Sequence, residues 1–114
     1  MAHTAANSYK TNPVIIEVFS ADLDISNLIN GKPHTPVHIM SISFISAAAG
    51  DDFALQDKLG VTGHVVIHLA QNISGGMVEK YYGPNGHIFP ELVFDTSEVN
   101  AGLGAGDQAL IYLK

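Results

Sequence analysis

The chain has 114 residues, lacks cysteine and tryptophan, and carries 11 acids against five basic residues, all lysine, for a net charge of −6. That length suits one domain with a modest core. Without cysteine there can be no disulfide framework, thiolate metal site or cysteine nucleophile. Lys10, Lys32, Lys58, Lys80 and Lys114 are spread evenly, so no basic patch exists to neutralise phosphates and no direct nucleic-acid partner is expected. No apolar run is long enough to cross a bilayer as a helix, and no membrane partner is expected either. The start, Met-Ala-His-Thr-Ala-Ala, lacks the charge and apolar run of a signal peptide.

Residues 1–12 are small and polar without periodicity, and Pro13 disfavours helix just before it. They read as an N-terminal arm or flexible tail, ahead of a single β-sandwich domain over 13–114. As an arm they would order on a neighbouring subunit, with Tyr9 as the anchor. Residues 14–19 are β-branched and apolar, as a strand requires. Residues 22–29 read as a second strand with Leu23, Ile25 and Leu28 inward, closed by the Asn30-Gly31 turn signal. Residues 37–47 make a long strand with Met40, Ile42 and Phe44 on one face and Ser41 and Ser43 on the other.

The stretch 51–59 fits two templates: a helix capped by Asp51 and stopped by Gly60, or a short strand alternating at Phe53 and Leu55. The strand is expected, because everything around it is β. Residues 63–71 form a strand with Val65, Ile67 and Leu69 on one face and His64, Val66 and His68 on the other. Ser74-Gly75-Gly76 is a turn, 77–82 a strand, and Gly83-Pro84-Asn85-Gly86 a tight turn. Residues 88–95 follow as a strand, with Pro90 marking an edge or an irregular start. A glycine-rich loop over 101–107 precedes the last strand, 108–113. Turn signals recur roughly every 8–12 residues, the rhythm of an all-β fold: an antiparallel β-sandwich or jelly roll of about seven or eight strands.

Chemistry-bearing residues are scattered. His64 and His68 are four apart, which on a strand separates them by roughly 13 Å, too far to share one ion. His34 and His38 repeat that spacing near a proline-rich link, and His3 and His87 stand alone. Polar-face histidines are expected rather than a metal site. The pattern Gly63-His64-Val65-Val66-Ile67-His68 lacks the spacing and following acid of a metal-binding cupin. Asp51-Asp52 reads as a solvated turn, without the ligand ladder of a calcium loop. No serine sits in a nucleophile elbow and there is no phosphate loop. No catalytic residue and no cofactor is expected. Tyr81-Tyr82 hints at sugar stacking, although adjacent strand residues point to opposite faces.

The stretch from His38 to Asp51, His-Ile-Met-Ser-Ile-Ser-Phe-Ile-Ser-Ala-Ala-Ala-Gly-Asp, resembles a segment of small tailed-bacteriophage virion proteins. There, a strand, small residues and an acid precede a short strand and a hairpin. The closing Ala105-Gly106-Asp107-Gln108-Ala109-Leu110-Ile111-Tyr112-Leu113-Lys114 is similar too, a glycine turn feeding a terminal strand. The likeness spans about residues 37–114 and is one of pattern, so no site residues carry over. It implies a non-enzymatic capsid decoration (cement) protein. Such a protein sits on the virion's outer surface, binds the major capsid protein and forms a homo-oligomer. Tyr9, His64, Val66, His68 and Val93 are the expected contact residues, the last for its place near the Pro90 edge. A carbohydrate- or ligand-binding β-module is the alternative.

Overall fold

The computed structural model describes residues 6–70, 74–97, 103–104 and 106–114. In chain order these form β1 (Val14–Ile16), β2 (Leu23–Asp24), the helix α1 (Ile25–Asn30), β3 (Val37–Ile45), β4 (Asp52–Gln56), β5 (Val65–Ala70), β6 (Met77–Tyr81), β7 (His87–Phe89), β8 (Val93–Phe94) and β9 (Gln108–Leu113). One antiparallel sheet runs β1-β9-β3-β6, with β7 also on β3; the other runs β2-β8-β4-β5. β6 pairs Ser41 to Ile45 and β7 pairs Val37 to Ile39, in the same direction. They are therefore one edge strand interrupted by the 82–86 turn. Counted that way the described residues form eight strands, and every connection except β4–β5 crosses between sheets. That is jelly-roll order, one of the two arrangements, sandwich or jelly roll, that the turn rhythm led us to expect.

The sheets meet on an aromatic column. Phe53 of β4 stacks on Phe44 of β3 at 5.7 Å and on Phe94 of β8 at 5.8 Å, and Phe19 meets its edge at 5.9 Å. Val14, Ile16, Ile39, Ile42, Leu55, Leu92 and Ile111 close around it with no solvent exposure.

The strand expected over 22–29 is instead two residues of strand and a six-residue helix. Asp24 accepts a hydrogen bond from the Asn27 N–H at 3.2 Å. Gly31, at φ 78°, closes the other end with its N–H on the Asn27 carbonyl. A polar N-cap and a left-handed glycine bracket the segment, and Ile25 and Ile29 fit helical spacing as well as alternation.

Met40 is not in the core as expected. The register shifts between Ile39 and Ser41, so Met40 is a bulge residue. Val37 and Ile39 point inward before it and Ile42 and Phe44 after it. The strand expected over 88–95 splits at Pro90 into β7 and β8, which belong to opposite sheets. The 51–59 stretch is a strand, as expected, from Asp52 to Gln56.

Residues 6–12 fold back on their own domain. Ser8 exchanges both backbone hydrogen bonds with Ile15, at 2.8 and 2.9 Å. The Asn7 side-chain oxygen accepts the N–H groups of Glu17 and Val18. Asn12 does the same for the last strand, donating to the Leu113 carbonyl and accepting its N–H.

Replacing Phe53 by alanine removes the ring that touches all three other phenylalanines of the column. The expected cost is about 3–5 kcal/mol, a large share of the roughly 5–15 kcal/mol available to a domain. Urea unfolding followed by circular dichroism measures it.

Candidate binding face

Alternation sorts the larger sheet into a packed inner face and an open outer one. Register places Tyr81, Ser41 and Tyr112 in one outer row, and Glu79, Ser43, Leu110 and Ile15 in the next. Met77, Ile45 and Gln108 form a third row, and Ile88 lies opposite His38. Tyr81 and Ile88 are each 57% exposed and Met77 59%. Glu79 is the lone carboxylate among these strand positions, and it accepts a hydrogen bond from the Ser43 hydroxyl at 3.2 Å. On a chain of net charge −6 this is a weakly charged face, and its most exposed residues, Met77, Tyr81 and Ile88, lie along the edge strand β6–β7.

The residues expected to make contacts are not gathered here. His64, Val66 and His68 lie on or beside β5, in the other sheet, and are exposed. His64 pairs with Asp57 at 3.3 Å, and His68 pairs with Asp52. Tyr9 packs half-buried against its own core, its hydroxyl accepting from the Asn7 amide at 2.8 Å; burial raises its pKa. The expected exposure of Val93 is corrected. It is 2% exposed, paired with Asp24 and Gln56 and packed into the β2–β8–β4 layer.

Each histidine among the described residues has its own local partner. His34 meets Glu91 at 2.8 Å, which raises its pKa, and His38 meets the Asn85 carbonyl at 2.7 Å. His87 lies 4.5 Å from the Phe89 ring and stacks on Tyr82 at 5.6 Å. No group of three or more histidine, aspartate or glutamate side chains could hold a metal among the described residues. His3 and part of the 101–107 loop lie outside them.

The acids the sequence left unassigned are structural. Asp51 and Asp52 do not share a solvated turn: Asp52 faces His68, while Asp51 is turned in towards Asp107, both nearly buried. The Asp107 carboxylate accepts the N–H groups of Ala47 at 2.7 Å and Gly104 at 2.9 Å. Its hydrogen bond to Asp51, burial, and its charge together raise the Asp51 pKa. Asp95 accepts the Gly60 N–H at 2.8 Å and the Ser97 hydroxyl and N–H, which lower its pKa. Asp57 is lowered too, first by the His64 backbone N–H. Buried acids that cap loop N–H groups carry no periodic signature, so spacing alone misses them.

Comparison of the chain with protein-family models, curated proteins and solved structures finds no match.

Opposite pH dependences follow from these shifts. A lowered carboxylate contributes stability above its unfolded pKa that is lost as pH falls through the folded value; a raised one contributes at low pH and loses it as pH rises. Asp95→Asn is therefore expected to lower the melting temperature at neutral pH and flatten its decline in acid. Asp51→Asn keeps a donor towards Asp107 without the charge, and is expected to raise the melting temperature at neutral pH with little change in acid. Thermal melts across a pH series check both.

Proposed function

We propose that this chain is a non-enzymatic tailed-phage virion protein, a capsid decoration or cement protein. It would sit on the outside of the shell and grip the major capsid protein with the outer face of the larger sheet. The observation that carries the reading is that face. Tyr81, Ile88 and Met77 stand exposed along the edge strand β6–β7 with a single carboxylate among the rows around them. Exposed apolar surface of this kind marks interaction sites, and tyrosine supplies contact area at little entropic cost. Repetition over a symmetric shell lets each contact be modest while attachment stays firm. The jelly-roll order supports the reading by analogy only, since that fold is frequent in viral capsid proteins and also in lectins.

A carbohydrate-binding module is the second reading. Tyr81 and Tyr112 flank Ser41 in one row, two strand spacings or roughly 10 Å apart, which suits a flat sugar. Tyr82 takes no part, because it faces the core and packs on Phe89.

Co-sedimentation with mature shells of the encoding phage separates these. The wild-type chain is expected to pellet with shells, and the double variant Tyr81→Asp, Ile88→Asp to bind at least about tenfold more weakly with an unchanged melt. Failure of the wild-type chain to pellet, or equal binding by the variant, overturns the shell reading. Glycan binding lost in Tyr81→Ala would support the second.

A further inference from the structure

A sandwich has two flanks, where the end strands of its sheets run side by side. At one flank the chain covers β1 with its own segment: Ser8 pairs with Ile15, and Asn7 caps Glu17 and Val18. The other flank lies between β5, which ends the smaller sheet, and β6, which ends the larger. No described segment covers it. A cleft of about 280 Å³ opens there, lined by Val66, Ile67, Leu69 and Tyr82 with His68, Glu79 and Lys80 as its polar groups. On the opposite side of β5 lies a recess of about 290 Å³ lined by Asp52, Ala54, Val65 and His68. β5 is thus a ridge with a hollow on each side.

The two edges are guarded differently. β6 carries Glu79 and Lys80, charges of the kind that discourage edge pairing. β5 carries no lysine, acid or proline. Its register shifts between the pairs Leu55–Ile67 and Gln56–Val65, a bulge that leaves Val65 45% and Val66 39% exposed. The local sequence His64-Val65-Val66-Ile67-His68 reads nearly the same in both directions. Each of its histidines has a hydrogen-bonding carboxylate of its own, Asp57 or Asp52.

We infer that the β5–β6 flank is a two-fold contact with a second copy of this chain. The β5 ridge of each copy enters the cleft of the other. A two-fold contact uses one patch twice and must be self-complementary, and this flank offers both the ridge and the hollow. The nearly palindromic segment places β-branched residues against β-branched residues across the axis. The imidazoles of one ridge meet the Glu79 rim of the other copy's cleft. The inference deepens the adhesive reading above; its cleft meets the shell-facing side only at Glu79 of β6.

Sedimentation velocity of the full chain over a concentration series tests it. A species of twice the 12.1 kDa chain mass is expected. Val66→Asp and, separately, Val65→Asp should each raise its dissociation constant at least about tenfold. Both side chains are exposed, and circular dichroism melts confirm that the variants fold. Ile88→Asp, on the other sheet face, should leave the dimer unchanged. A monomer at every concentration, a higher oligomer, or a dimer indifferent to both valine variants overturns the inference. Shell co-sedimentation is scored separately: a monomer that still pellets with shells sinks this contact alone, and a dimer that pellets with none sinks only the shell reading.

Discussion

The spacing between the two sheets is the constraint on which everything else depends. With β6 and β7 taken as one edge strand, all connections but β4–β5 cross from one sheet to the other, so the strands of the two sheets are tied to one another along the chain. Phe53, stacked between Phe44 and Phe94 with Phe19 on its edge, sets that spacing. The outer faces are then left to whatever the alternate positions carry. On the larger sheet those positions are mostly tyrosine, serine and apolar residues with Glu79 as the one carboxylate, which is why a weakly charged face appears on a chain otherwise rich in acids.

Much of this was legible in the sequence because period-two alternation and glycine turns report directly on strands. The long strand 37–47, the strand at 108–113 and the tight 83–86 turn all appear close to where the residues place them. What alternation misreads is any interruption of its own period. The Met40 bulge moves one residue out of phase and reverses the face of those before it. Pro90 turns one apolar run into two strands of different sheets. Asp24 and Gly31 turn another run into a helical turn, because short apolar stretches satisfy both periods.

The surfaces were less legible than the core. Val66, His64 and His68 are exposed as the pattern implied, yet Val93, equally apolar and shortly after Pro90, is shut in between Asp24 and Gln56. Whether an alternate position faces solvent depends on what the rest of the chain lays over it, and that is long-range information. The Asp95 and Asp107 side chains show the same limit. Each stabilises a loop by accepting backbone N–H groups several residues to dozens of residues away.

The Asn12 side chain has a mechanical consequence. β1 and β9 run antiparallel, so the chain enters one and leaves the other at the same end of the sheet. Once the Ser8 and Asn7 contacts that hold the leading segment along β1 have parted, tension across the two ends would open this pair like a zip, one bond at a time, rather than sliding the strands past each other. The fork of that zip is where Asn12 sits, with its amide standing in for a residue of the ladder on both sides of the Leu113 peptide unit. Two hydrogen bonds from one side chain must yield together before the first pair of strand residues can part.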